Sequence, residues 1–167
     1  MPSAATSRTA TEWFDLYGES HQNPINKAIH WFCIPMIMCS TLGLFQAIPH
    51  PFGPSTPFHW GLVVVAAALV FYANLSWTIF AGMLLVSAAC LALNSAIVTA
   101  ELPLAAVSAG AFFIAWVVQF VGHKIEGKKP SFFQDLQFLL VGPAWLLQFM
   151  YRKVGIPVET HRAAPSP

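Results

Sequence analysis

Charge is scarce in this sequence. Only 9% of its 167 residues are Asp, Glu, Lys or Arg, whereas a soluble domain carries about 25%. None of these residues occurs between Lys27 and Glu101, although one membrane-spanning helix needs only about 20 apolar residues. The charged side chains are too few to cover a water-facing surface. The composition therefore excludes a soluble globular domain and predicts a multi-pass membrane protein.

Other signals are absent as well. Residues 1–22 lack the apolar core of a secretory signal, so membrane insertion is expected to begin with the first internal span. The cysteines Cys33, Cys39 and Cys90 show no C-x-x-C spacing and are interpreted as small buried apolar residues. The net charge of +1 provides no basic surface, so no nucleic-acid partner is expected.

The sequence does contain a series of apolar segments separated by turn signals. Asn23 suits a helix N-cap and Pro24 the first helical position, so a first span is predicted from about Ile25 to Ile48, with a kink at Pro35. The proline-rich stretch that follows predicts a loop. Three further spans are predicted at about 60–73, 77–99 and 104–123.

The positions of Lys and Arg predict the orientation of these spans. Four crossings return the chain to its starting side, so the basic residues before the first span and after the fourth share one face, predicted to be cytoplasmic. The C-terminal tail is also basic. Residues 132–151 therefore fit a re-entrant or interfacial helical pair broken at Gly142–Pro143, with a fifth crossing as the alternative. The basic residues are Arg8, Lys27, Lys124, Lys128, Lys129, Arg152, Lys153 and Arg162.

The predicted fold class is an all-α, multi-pass transmembrane helical bundle of four to five spans. Residues 1–20 are interpreted as a polar N-terminal arm that contains an interfacial turn or helix, 21–155 as a single helical membrane domain, and 156–167 as a flexible tail. The absence of a retention signal favours a bacterial inner membrane over the endoplasmic reticulum.

The topology divides the histidines between the two membrane faces. His21, His30 and His123 fall at one face, at the start of the first span and the end of the fourth, whereas the loop at the opposite face contains His50 and His59. A turn at Asn23–Pro24 allows His21 to fold back towards His30. Asn26 lies four residues before His30 and shares its helical face.

Polar residues at the end of the fourth span complete this cluster. His123 and Glu126 are three residues apart and project from one helical turn, and Gln119 lies one turn earlier, where it can orient His123. Three imidazoles and a carboxylate suit iron or zinc, and two histidines with one carboxylate are a common non-haem iron arrangement. The residues therefore support a metal site close to the cytoplasmic face.

Simpler interpretations compete with this site. A single interfacial histidine is more often a hydrogen-bonded anchor than a ligand, and Glu126 can instead pair with a neighbouring lysine. Gln119 and Asn26 can be ordinary packing residues. The aromatic residues near the span ends are interpreted as an interfacial belt rather than a ligand cage; they are Trp13, Trp31, Trp60 and Trp145.

Two stretches resemble a known family. HQNPINKAIHWFCIP (21–35) and QFVGHKIEGKKPSFFQDLQFLLVGPAWLL (119–147) are similar to small membrane proteins whose fungal member is an endoplasmic-reticulum 2-hydroxy-fatty-acid dioxygenase and which have bacterial relatives. The likeness covers about residues 10–155. The combination of H-x-N-P-x-N-x-x-x-H with Q-F-x-G-H and a following basic, proline-containing segment is specific.

The resemblance implies an Fe(II)-dependent step of fatty-acid α-oxidation. A long-chain 2-hydroxy fatty acid reacts with O2 and loses its carboxyl carbon, which gives a fatty acid one carbon shorter. It also implies that His21, His30 and His123 are the iron ligands. The acidic residue of the fungal pattern lies four positions after the last histidine, whereas Glu126 lies three after His123. Glu126 is therefore predicted to be either a fourth ligand or a base beside the metal.

The predicted chemistry fits the predicted topology. A 2-hydroxy acid can chelate Fe(II) through its carboxylate and hydroxyl while its acyl tail stays among the spans and the membrane lipids. Lys27 or Lys124 is expected to attract the carboxylate. No 2-oxoglutarate site is needed, because the substrate supplies the electrons. The alternatives are a non-enzymatic lipid-binding or scaffold protein and a zinc-dependent lipid hydrolase or a lipid hydroxylase.

Overall fold

The computed structural model of this protein describes residues 9–52, 56–127 and 137–158. Arg8, Lys128, Lys129 and Arg162, on which part of the predicted orientation rests, lie outside the described residues, and so does the tail from residue 159 onwards. All regular elements in the described ranges are α-helices, which confirms the all-α class. They are α1 (Ala10–Glu19), α2 (Pro24–Gln46), α3 (Trp60–Leu75), α4 (Trp77–Thr99), α5 (Leu104–Glu126) and α6 (Gln137–Val154).

Helix α2 begins where the sequence predicts. The Asn23 side-chain oxygen accepts hydrogen bonds from the backbone N–H groups of Ile25 and Asn26, at 2.9 and 3.4 Å. Pro24 occupies the first helical position, where a missing N–H leaves no intrahelical bond unmade. Pro35 lies inside the helix, which continues through it to Gln46.

Three of the described helices, α2, α4 and α5, are long and apolar enough to cross a membrane. Helix α3 is apolar but has only 16 residues, a length of about 24 Å against a hydrocarbon core of about 30 Å. It joins α4 through Ser76, which ends one helix and caps the next by accepting from the Ile79 N–H at 3.4 Å.

Helices α2 to α5 run alternately in opposite directions, so the start of α2 and the end of α5 meet. We call this end of the bundle, with the first turn of α2 and the last turn of α5, the proximal end. The distal end contains the last turn of α2 and the first turn of α3. The prediction that the first and fourth apolar segments return to one end is therefore confirmed.

Glycines allow α2 and α5 to approach closely. A Cβ atom on Gly122 would lie 2.5 Å from the Asn26 side-chain oxygen, and a Cβ on Gly43 would collide with the Ser108 hydroxyl. Small residues at a helix crossing bring backbones close enough for dense packing in an apolar environment. This contact aligns the His30-bearing part of α2 with the His123-bearing end of α5.

Helices α1 and α6 cover the proximal half of the bundle. The Tyr72 hydroxyl donates to the Leu140 carbonyl at 2.9 Å, and the Tyr151 hydroxyl donates to the Thr78 carbonyl at 3.3 Å. Both of these bonds lie near the α3–α4 junction. Helix α6 therefore lies against the proximal half of the other helices.

The predicted break at Gly142–Pro143 is wrong, since α6 runs without interruption from Gln137 to Val154. A proline inside a helix costs about 3 kcal/mol. Burial of side chains of the same helix in the core offsets this cost, among them Val141, Ala144 and Leu147. The beginning of the predicted helical pair, residues 132–136, lies outside the described residues.

Half of the segment interpreted as a polar arm forms α1. Thr9 and Glu12 cap this helix reciprocally, and its apolar face contributes to the core. The interpretation of Trp13 as part of an interfacial belt is wrong, because its side chain is only 6% exposed. The core of the proximal half comprises Ala10, Trp13, Phe14, Tyr17, Ile34, Tyr72, Leu75, Ile79, Met83, Val141, Ala144, Leu146 and Leu147.

Candidate metal centre

Three histidines from different parts of the chain meet at the proximal end. His21 lies between α1 and α2, His30 lies in the second turn of α2, and His123 lies in the last turn of α5. All three side chains are buried. Their ring centroids are separated by 4.3 Å for His21 and His30, 4.9 Å for His30 and His123, and 5.3 Å for His21 and His123.

Backbone carbonyls determine which nitrogen of two of these rings bears the proton. His21 Nδ1 lies 2.6 Å from the Tyr17 carbonyl oxygen, and His30 Nδ1 lies 2.9 Å from the Asn26 carbonyl oxygen. A carbonyl oxygen only accepts, so Nδ1 must be the donor in each neutral ring. The Nε2 atoms of His21 and His30 therefore carry lone pairs, as metal ligation requires.

The cluster also contains nitrogen atoms whose bonding capacity is unused. Among the residues that the structure describes, His21 Nε2 and His123 Nδ1 are buried without a hydrogen-bond partner. Burying such atoms unpaired costs about 1–3 kcal/mol each. A bound cation would remove this cost, because each nitrogen could then donate its lone pair.

The rings are close enough to share one ion. One nitrogen from each histidine lies within 4.8 Å of the other two. Two imidazole nitrogens on one ion, each bound at about 2.1 Å, lie up to about 4.2 Å apart, so small ring rotations complete the fit. Burial also lowers the pKa of His21 to about 4, against the opposing effect of the Tyr17 carbonyl. Its imidazole is therefore neutral at physiological pH and available to a metal.

Glu126 is adjacent to the histidine cluster but does not belong to it. Among the residues that the structure describes, the group of potential ligands consists of His21, His30 and His123. The Glu126 carboxylate instead accepts hydrogen bonds from the backbone N–H groups of Gln22 and Asn23, at 2.8 and 2.9 Å. In these contacts the carboxylate binds the turn before α2.

The predicted orienting residues have different surroundings. Asn26 is fully buried, its backbone carbonyl faces His30 Nδ1, and its side-chain amide donates to Glu126 at 3.0 Å. Gln119 is buried one turn before His123, and a bond between these two side chains stays a prediction.

The two predicted substrate lysines also differ. Lys27 is half-buried, and its positive charge is the smallest of the effects that lower the pKa of His21, after burial and the neighbouring His123. Lys124 is exposed. Lys27 is therefore the less exposed of the two lysines.

Two aromatic residues that the sequence did not assign to the site lie beside it. The Tyr17 ring stacks on His21 with centroids 4.2 Å apart and an angle of 12° between the planes. Trp145 of α6 lies 5.7 Å from His21 and 5.5 Å from Tyr17, between ring centroids. The spacing of four between Tyr17 and His21 was an available signal, whereas nothing in the sequence connects Trp145 to His21.

A helical bundle with membrane-length helices and a buried group of three histidines defines this protein as a candidate membrane metalloprotein. A family model described as 2-hydroxy-palmitic acid dioxygenase Mpo1-like matches residues 7–154. The chain belongs to this family, which confirms the resemblance found in the sequence. Comparisons with curated proteins and with solved structures gave no match.

Proposed function

We propose that this protein is an Fe(II)-dependent dioxygenase that converts long-chain 2-hydroxy fatty acids and O2 into fatty acids one carbon shorter. The observation that carries the proposal is the buried cluster of His21, His30 and His123 in a chain of a family named after a 2-hydroxy-palmitic acid dioxygenase. The metal-binding role of these three residues and the identity of the metal are parts of the proposal.

The reaction balances without another reductant. A 2-hydroxy acid and O2 contain the atoms of the shortened acid, CO2 and water. The bond between the carboxyl carbon and C2 breaks, and C2 becomes the new carboxyl carbon. Oxidation of C2 from an alcohol to a carboxylic acid releases three electrons, and oxidation of the old carboxyl carbon to CO2 releases one. These four electrons reduce O2 completely.

Three protein nitrogens leave coordination positions for substrate and oxygen. When bound, Fe(II) supplies a Lewis acid for the hydroxy acid and electrons for O2 activation. His21 and His30 are prepared for this role, because backbone carbonyls fix their Nδ1 protons and leave Nε2 free. The stacked Tyr17 ring and Trp145 cover one side of His21.

The surroundings of the cluster suit an amphipathic acid. The Lys27 ammonium would attract the substrate carboxylate, since this half-buried residue lies in the first turn of α2, one turn before His30. Apolar side chains on the outer surface of α2 and α5 at the proximal end, including Ile25 and Ile125, are exposed. An acyl chain beside them would remain in the hydrocarbon layer, so its binding requires no transfer of apolar surface into water.

The placement of the protein in the cell is also proposed. We infer an integral protein of a bacterial inner membrane, with the proximal end at the cytoplasmic face. The basic residues Lys27, Lys124 and Arg152 are consistent with this orientation, because cytoplasmic segments near membrane spans are enriched in Lys and Arg.

The test is an aerobic reaction of detergent-purified protein with Fe(II) and 2-hydroxy-palmitic acid labelled at the carboxyl carbon. We expect the acid one carbon shorter, with the label in CO2, and no product from palmitic acid, which lacks the hydroxyl. His30→Ala should abolish the product, whereas the matched variant His59→Ala at the distal end should retain it. A folded, iron-loaded wild-type protein that releases no label would contradict the proposal.

One observation favours a second candidate. Within the described residues the group of potential ligands contains no carboxylate, and three histidines without a carboxylate also hold catalytic zinc in some enzymes. Anaerobic purification from cells grown with both metals distinguishes the two: retention of zinc, with ester hydrolysis and no O2 consumption, would support a lipid hydrolase. A folded protein that retains no metal would support a lipid-binding or scaffold role.

A further inference from the structure

The Glu126 carboxylate forms three hydrogen bonds across the proximal end. Its Oε1 atom accepts from the Gln22 N–H at 2.8 Å, and its Oε2 atom accepts from the Asn23 N–H at 2.9 Å and the Asn26 side-chain amide at 3.0 Å. Hydrogen bonds to an ionised acceptor are about twice as strong as neutral ones. One side chain at the end of α5 therefore holds the whole turn that leads into α2.

This turn determines where His21 lies. His21 is not part of a helix, so its position depends on the residues on either side. On the N-terminal side, the Tyr17 carbonyl accepts from its ring and the Tyr17 ring stacks on it. On the C-terminal side, the next residue, Gln22, binds Glu126 through its backbone N–H. Removal of the Glu126 contact would loosen the C-terminal side of His21, whereas the bond from the His21 N–H to the Gly18 carbonyl, at 3.0 Å, would remain on the N-terminal side.

Glu126 also lies one helical turn after His123. The contact therefore connects the segment that carries His21 to the helix end that carries His123, although the two segments are separated by about a hundred residues. Gly122 completes the arrangement, because its missing side chain admits the Asn26 amide that donates to Glu126.

We infer that Glu126 is a positioning residue: its carboxylate holds the turn before α2 and thereby keeps His21 within reach of the metal held by His30 and His123, without being a ligand itself. The inference rests on the metal site of the proposed function and does not depend on the reaction that the metal catalyses. It replaces the two roles that the sequence suggests for Glu126, those of a fourth ligand and of a base.

A double-mutant cycle on metal affinity separates a positioning residue from a ligand. The affinity of the detergent-purified full chain for Co(II), used as a spectroscopic probe, is measured for wild type, Glu126→Gln, His21→Ala and the double variant. We expect Glu126→Gln to weaken binding by about 10- to 100-fold, as residues that orient ligands do. The double variant should bind Co(II) less than about twofold more weakly than His21→Ala alone, because Glu126 acts through His21.

Two further results of the same titration test the inference. At saturating Co(II) the absorption spectrum of Glu126→Gln should match that of the wild type, because the ligand set is unchanged. Losses that multiply in the double variant, or a changed spectrum at saturation, would show that Glu126 binds the metal and overturn the inference. The matched control is Glu101→Gln, which makes the same chemical change in the turn between α4 and α5 and should leave affinity unchanged.

A metal-free measurement provides an independent test. Amide hydrogen exchange at Gln22 and Asn23 should be at least about tenfold faster in Glu126→Gln than in wild type or Glu101→Gln, since these N–H groups lose their acceptor. Asn26→Ala retains two of the three bonds and should cause a smaller change, which provides a milder variant if Glu126→Gln folds poorly. Unchanged exchange in both variants would contradict the inference.

The outcomes distinguish this inference from the dioxygenase proposal. If the metal affinities follow the expected double-mutant cycle but no shortened fatty acid forms, the positioning role is retained and the proposed reaction is rejected. Formation of the shortened fatty acid, together with affinity losses that multiply in the double variant, would support the reaction and reject the positioning role. Failure of the folded wild-type protein to bind Co(II) or Fe(II) would reject both.

Discussion

Both ends of the bundle carry histidines next to aromatic rings, yet they differ in how these side chains are held. At the distal end, His50 lies 5.4 Å from Phe58, and Phe58 lies 5.6 Å from Trp60, between ring centroids. At the proximal end, His21 stacks on Tyr17 at 4.2 Å. Composition alone does not distinguish these two clusters.

The two ends differ in how many chain segments bring histidines together and in whether hydrogen bonds orient the imidazole rings. His50 and His59 come from one loop and are only half-buried, and within the described residues they join no group of three potential ligands. The proximal histidines come from three segments and are buried, and backbone carbonyls orient two of them. A histidine at a membrane interface therefore becomes a candidate ligand only when separate elements bring others to it.

The largest expected effect comes from removing one histidine at each end. His30→Ala should abolish stoichiometric metal binding and reduce activity by more than about 100-fold, because loss of a ligand exceeds the 10- to 100-fold effect of an orienting residue. His59→Ala should change neither. Metal analysis and product formation on the purified variants measure this contrast, and equal effects at the two ends would remove the distinction between them.

The next largest effect is expected on the pH dependence of the stability of the metal-free protein. The folded pKa of His21 is about 4 and its ordinary value is 6.5, so the unfolded chain takes up the proton first as the pH falls. The free energy of unfolding should therefore be unaffected by His21 above pH 6.5 and should decrease between pH 6.5 and 4, by up to about 3 kcal/mol.

Unfolding in detergent with a chelator, measured from pH 8 to pH 4, tests this expectation. His21→Ala should remove its part of the pH dependence, and His59→Ala should retain most of it. A wild-type protein whose stability does not change over this range would show that His21 is not protected from protonation by burial.

Two glycines of α5 provide a smaller contrast. A Cβ on Gly122 would press on Asn26, whereas a Cβ on Gly110 meets no atom within 4 Å. Gly122→Ala should lower the free energy of unfolding by about 1–3 kcal/mol and weaken metal binding. Gly110→Ala should be neutral or stabilise by up to about 1 kcal/mol, through its higher helix propensity. Similar values for the two variants would argue against a close α2–α5 contact at the proximal end.

The smallest effect is expected for the lysines at the proximal end. Lys27→Met should raise the KM for the 2-hydroxy acid by about 5- to 10-fold with little change in kcat, since about 1 kcal/mol of attraction to the carboxylate is lost. Lys124→Met, at an exposed position, should raise KM by less than about twofold. A larger effect of Lys124 would reverse the assignment made from the exposure of the two lysines.

Much of the fold followed from local chemistry. The four apolar segments were visible as runs without charge, and Asn23 and Pro24 predicted the start of α2 within a residue. The three proximal histidines followed from the count of crossings together with the family resemblance. The unbroken course of α6 could not be predicted from local chemistry. Pro143 is unfavourable in an isolated helix, and only burial of its neighbours in the core outweighs this cost.

Some features of the site could likewise be predicted from the sequence, and others could not. The sequence by itself determined that the chain contains apolar segments long enough to cross a membrane and which histidines meet at one end, because the length and number of these segments depend only on local hydrophobicity. Only the tertiary structure decided what surrounds them: Tyr17 and Trp145 beside His21, and Glu126 on the backbone of Gln22 and Asn23. These contacts join residues distant in the chain, and their geometry depends on how closely α1, α5 and α6 pack, which no local pattern encodes.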